Sequence, residues 1–176
     1  MFHKILVAMD TSAIGKQVFD TALSLAKANN ANLMLLHVLS EEEVGTPTPL
    51  ISSLEFYPSL HEKNLELYRE QRDAAAKQGI EILRSRVEQA TAASVGVEVY
   101  QVSGSPGRSI CELARSWGAD LIVTGRRGRS GLSELVLGSV SNYVMHHAPC
   151  SVLIVQHPEN ASTVEVITNQ TETANH

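Results

Sequence analysis

The feature that most limits the fold is a series of short apolar runs, at residues 5–9, 33–39, 120–124 and 151–155, with a further strand-like stretch at 95–102. In Ile5-Leu6-Val7-Ala8-Met9 and Leu121-Ile122-Val123 the apolar residues are consecutive instead of alternating, so both faces of each strand must be covered, as in a parallel sheet under helices. Helical stretches separate the runs. After Asp10-Thr11-Ser12, whose side chains suit a helix start, Ile14, Val18, Ala22, Leu25 and Ala26 recur at three- and four-residue spacing up to about Asn29. Residues 106–117 open with Pro106 in the first turn, and residues 138–147 are closed by Pro149. Strand alternating with helix implies one α/β domain, a parallel sheet with helices on both faces. Ligands of such sheets bind beyond the carboxyl ends of the strands, where the strand order reverses.

Three stretches depart from this rhythm. Residues 41–60 carry a run of acids, Gly45 and prolines 47, 49 and 58, which predicts an excursion without helix or ladder. Residues 61–93 have helical composition, with Leu65, Tyr68, Ala75, Ile82, Leu83 and Val87 predicted inward and Gly79 a weak point. From Pro158 onward the chain is rich in Thr, Asn and Glu and lacks a core-forming period, so an ordered unit at 1–157 is expected to end in a disordered tail at 158–176.

Charge and composition remove several function classes. A formal charge of -5 over 176 residues argues against a dedicated nucleic-acid binder. No apolar run approaches the roughly 20 residues of a membrane span, and Met1-Phe2-His3-Lys4 leads directly into a strand, so no membrane association and a cytoplasmic location are expected. Cys111 and Cys150 form no Cys-x-x-Cys or paired-histidine pattern and read as small core residues.

The chemistry concentrates after the fourth strand, in Gly125-Arg126-Arg127-Gly128 and, after nine intervening residues, Gly138-Ser139-Val140-Ser141. Peptide amides hold a phosphate only where the backbone approaches it closely, which glycine at 125 and 128 permits. The helix opening at Gly138 adds unpaired amides and a positive dipole end, and two hydroxyls lie beside them. Singly, these glycines would do no more than turn the chain. The spacing Gly-x2-Gly-x9-Gly-Ser behind a buried strand is more restrictive and points to a nucleotide. It is neither a Walker loop, lacking Gly-Lys-[Ser/Thr], nor the Gly-x-Gly-x-x-Gly fingerprint.

Over residues 1–156 the chain resembles the universal stress protein family, specifically its ATP-binding branch. The resemblance rests on His3-Lys4-Ile5-Leu6-Val7-Ala8-Met9-Asp10, Leu35-Leu36-His37-Val38, Gly104-Ser105-Pro106, the strand and glycine pattern from Asp120, and Ala148-Pro149-Cys150-Ser151-Val152-Leu153-Ile154-Val155. It implies a Rossmann-like, five-stranded parallel sheet in the order 3-2-1-4-5. It implies too that Asp10 lies near the ribose and any Mg, that the backbone of Val38 reads the adenine edge, and that Gly125, Gly128, Gly138, Ser139, Val140 and Ser141 surround the phosphates of ATP or AMP; Thr124 at the strand end is expected beside them, and Arg126, more basic than the family pattern requires, either contacts phosphate or belongs to a solvated face. Two copies are expected to pair as a homodimer along residues 151–155, an apolar strand that would otherwise be an open edge.

The resemblance leaves the enzymology open. Phosphoanhydride hydrolysis needs a placed water and charge compensation, and the residues supply only the cradle and Asp10. A nucleotide-binding regulator is therefore the first expectation. The rival is a slow Mg-dependent ATPase or nucleotidyl-transfer enzyme, using Asp10 for the metal and Arg126 for the transferred phosphate. Asp10 has an alternative role as a helix cap, and His37 reads as a packed or hydrogen-bonded histidine without chemistry.

Overall fold

The computed structural model describes residues 1–44, 58–126 and 138–156. The expected tail, residues 45–57 of the excursion, and Gly128 with Arg127 and Arg129 lie outside the described residues. Five strands, β1 (Lys4–Met9), β2 (Asn32–Leu39), β3 (Val97–Ser103), β4 (Leu121–Gly125) and β5 (Ser151–Val155), alternate with helices. The helices are α1 (Ala13–Asn29), α2 (Glu41–Val44), α3 (Pro58–Ala92), α4 (Pro106–Trp117) and α5 (Ser139–His147). All pairings are parallel and the sheet order is β3-β2-β1-β4-β5.

Successive strand residues face opposite sides of a sheet, and the core divides accordingly. Ile5, Val7, Leu33, Leu35 and Val123 pack with Val18, Phe19 and Ala22 of α1 and with Leu83 and Ala90 of α3. Leu6, Met34, Leu36 and Ile122 pack on the other face with Ile110 and Ala114 of α4 and Val144 of α5. Both faces of β1, β2 and β4 are therefore buried, as their consecutive apolar residues require. Each large aliphatic side chain so buried contributes about 1.5–3 kcal/mol of transfer free energy.

Two expectations are corrected. The stretch from residue 41 opens with a helical turn, α2, in which the Ser40 carbonyl accepts the amides of Glu43 and Val44 at 3.0 and 3.1 Å. The next helix begins at Pro58, because proline suits a first turn, where no intrahelical amide is needed. α3 then runs uninterrupted for 35 residues, about 52 Å at 1.5 Å per residue. Even the eight-residue β2 spans only about 27 Å, so the amino-terminal part of α3 overhangs the sheet. Leu65, predicted inward, is consequently 41% exposed, whereas Leu83, farther along, is buried. No helix among the described residues is long and apolar enough to cross a membrane.

Candidate functional site

β1 connects to β2 on one side, whereas β4 lies on the other side of β1, so the strand order reverses between the carboxyl ends of β1 and β4. There Ala8 is in register with Thr124, and the two chain exits diverge to leave a crevice. A pocket of about 70 Å³ occupies it, with Asp10, Val38, Glu43, Thr124, Gly125 and Val140 among its walls. That is room for only about two waters. Pro106 and Val140 also border an adjoining cleft of about 720 Å³, reached by Ser40, Tyr68, Arg72, Ser105, Ser139 and Tyr143. The two cavities thus share a wall, and the cleft has the size usual for small-molecule pockets.

On the β1 side, Asp10 Oδ1 accepts the amide of Ser12 at 3.1 Å and its hydroxyl at 2.5 Å, a local turn that fixes the carboxylate before α1 begins. On the β4 side, Gly125 is glycine for a packing reason: a Cβ there would collide with Ile14 of α1. Positive φ is not involved, since the described glycines with positive φ are Gly104 and Gly118. Ser141, 1% exposed, donates its hydroxyl to the Gly125 carbonyl at 2.8 Å and so ties the first turn of α5 to the end of β4. Gly138 is the N-cap of that helix. Ser139 and Val140 follow, where helix amides have no intrahelical acceptor.

Of the residues singled out in the sequence, Asp10, Val38, Thr124, Gly125 and Val140 meet in the deep pocket, while Ser139 and Val140 reach the cleft. Ser141 stands behind the wall with its hydroxyl proton committed. Arg126, half-buried, donates its amide to the Val155 carbonyl at 2.9 Å and is not among the residues lining either cavity. Glu43 was missed. It comes from the acidic run after β2, where no local pattern distinguishes which of three successive glutamates the short α2 turns inward.

The charge pattern is asymmetric: the carboxylates of Asp10 and Glu43 line the deep pocket, and the positive end of α5 faces the cleft. The positive helix end attracts a phosphate. His37 lies beneath, 2% exposed, with Nε2 3.3 Å from Glu43 Oε1 and Nδ1 3.0 Å from Gln101 Nε2. It is packed and hydrogen-bonded, as read from the sequence. Among the described residues no group of three His, Cys, Asp or Glu is arranged to hold a metal. Cys111 and Cys150 sit in and against the α4–α5 core, where burial above all pushes both thiols up.

Comparison with known proteins agrees with this architecture. The profile of the universal stress protein family matches residues 1–156. The chain is similar to universal stress protein Sll1388 of Synechocystis sp., at 38% identity over 160 residues, covering 89% of this chain and 99% of that protein. Among solved structures it is similar to universal stress protein UspA from Lactobacillus plantarum, with a TM-score of 0.68 at 26% identity, covering 87% of this chain and 97% of the other. A universal stress protein in complex with cAMP superposes with a TM-score of 0.57 at 25% identity, covering 88% and 97%. With its profile matched from residue 1 to residue 156, the chain belongs to the universal stress protein family.

Proposed function

We propose that the protein binds an adenine nucleotide, ATP or AMP, in the crevice between β1 and β4 and acts as a nucleotide-dependent regulator in stress response or signalling. One observation carries this reading: Asp10, Val38, Thr124, Gly125 and Val140, from four separate segments, wall a single pocket at the topological switch point. The cAMP complex of a related protein supports it. In this reading the base lies against Val38, whose backbone reads its edge, and Asp10 meets the ribose. The phosphates lie over the amides of Gly125, Ser139 and Val140, with Gly128 and Arg126 proposed as further contacts and Ser141 holding Gly125 and α5 together. The donor set fits such a ligand, being apolar at its floor, acidic at the sugar and rich in helix amides at the phosphate. A Mg ion would find one oxygen ligand in Asp10, and when bound it would neutralise phosphate charge.

Mass spectrometry of small molecules released from freshly purified protein tests this reading. An adenine nucleotide at near one per chain is expected; a ligand of another class would overturn the assignment. Incubation with ATP and Mg then separates the regulator from a slow ATPase, for which steady release of phosphate, lost in Asp10→Ala, is the distinguishing result.

A further inference from the structure

We infer that Arg72, on the part of α3 that overhangs the sheet, contacts the terminal phosphates of the ligand, so that the site favours a nucleoside triphosphate over the monophosphate. This rests on the nucleotide reading above. The deep pocket has room for only about two waters, so a nucleotide must extend into the cleft of about 720 Å³ with which it shares Pro106 and Val140. α3 packs on one face of the sheet through Leu83 and Ala90, and α5 on the other through Val144. The cleft therefore lies between them across the carboxyl ends of β2 and β3, with Tyr68 and Arg72 on one wall and Ser139 and Val140 on the other.

Arg72 is the only lysine or arginine among the described residues that line either cavity. Its Nη2 donates to Ser103 Oγ at 3.3 Å. Ser103 is itself held at the end of β3, in register with Leu39, whose carbonyl accepts the next amide, that of Gly104, at 3.1 Å. A guanidinium carries five N–H donors in a planar fork, and this bond uses one. The helical neighbours of Arg72 three and four residues away are Tyr68, Arg69, Ala75 and Ala76, none of them a carboxylate, so no ion pair along α3 neutralises it. The cleft's one carboxylate, Glu41, offsets that formal charge. The balance is set by the two helices that begin on the cleft, α4 behind Ser105 and α5 at Ser139, each equivalent to about half a positive charge at its first turn. An anion is thereby favoured there. A monophosphate seated at α5 ends at that wall, whereas a triphosphate continues into the cleft toward Arg72, whose fork matches phosphate oxygens bidentately.

Calorimetric titration of the full-length, ligand-stripped protein with AMP, ADP and ATP in the absence of Mg tests the assignment. Arg72 is exposed, so its variants leave the core untouched. The wild type is expected to bind ATP about tenfold more tightly than AMP, and Arg72→Gln to lose about that factor for ATP while binding AMP as before, because a charge-assisted hydrogen bond to phosphate is removed and nothing at the nucleoside changes. Arg72→Lys, which keeps the charge without the fork, should fall between the two. Added salt should shrink the ATP preference of the wild type more than that of Arg72→Gln, a response that a merely structural arginine would not give. Equal weakening of AMP and ATP in Arg72→Gln would overturn the assignment, as would a wild type without ATP preference or a preference that survives in Arg72→Gln; in each of these results nucleotide binding itself stands. Absence of binding of all three nucleotides to folded wild type would overturn the nucleotide reading and this inference with it.

Discussion

At Gly79 two effects of known size oppose one another, and their balance tests the packing of the α3 face. Alanine in a helix interior is favoured over glycine by about 1 kcal/mol, but a Cβ here collides with the buried His37 ring and the Gln101 amide, and overpacking costs about 1–3 kcal/mol. Gly79→Ala is therefore expected to lose about 1 kcal/mol in urea denaturation; a more stable variant would show that the ring has room to give. The two thiols give a second test at this scale. Burial above all pushes Cys111 and Cys150 up, so native protein at neutral pH should react with iodoacetamide far more slowly than urea-unfolded protein. Prompt labelling of the native form would contradict that burial. A raised thiol favours the protonated folded state, so its contribution to stability is complete below the ordinary thiol range and is lost as pH rises through the raised values. Glycines were the least legible residues in the sequence. At Gly79 a Cβ would meet His37 and Gln101, and at Gly125 it would meet Ile14, a long-range packing fact that no local pattern carries.

The elements that build the site depend on one tie. The Ser141 hydroxyl, bonded to the Gly125 carbonyl at 2.8 Å, fixes the first turn of α5 against the end of β4. Ser141→Ala removes the donor and leaves a carbonyl unpaired beside a buried position, which should cost about 1–3 kcal/mol of stability. Nucleotide affinity should fall with it, because the α5 amides are no longer held at one distance from Gly125. Unchanged stability by denaturant titration would mean that the bond is replaced by water at no cost. The strands and long helices were legible because period and composition agree, consecutive apolar residues in β1 and β4 and three-four spacing in α1. α2 was not. Its single turn is held by the Ser40 carbonyl and by Glu43 reaching Thr11 and His37, contacts that cross from β1 to β2 and leave no trace in the local sequence.

For the whole molecule, the order β3-β2-β1-β4-β5 leaves β3 and β5 at the sheet edges. This order was not contained in the alternation of strands and helices and came from the family resemblance. β5 is apolar, and Val152, Leu153, Ile154 and Val155 are only half-buried. An open apolar edge invites pairing, so a homodimer joined along β5 is proposed. Sedimentation at micromolar concentration should give twice the chain mass, and Leu153→Lys should shift it toward the monomer; a wild-type monomer would contradict the pairing. The central claim concerns the crevice between β1 and β4, where five of the sequence-predicted residues meet. Calorimetric titration of ligand-stripped protein with ATP and AMP tests it most directly. Saturable binding of an adenine nucleotide at one site per chain, weakened in Asp10→Ala, is the result expected. No binding heat for either nucleotide, in protein shown to be folded, would contradict it.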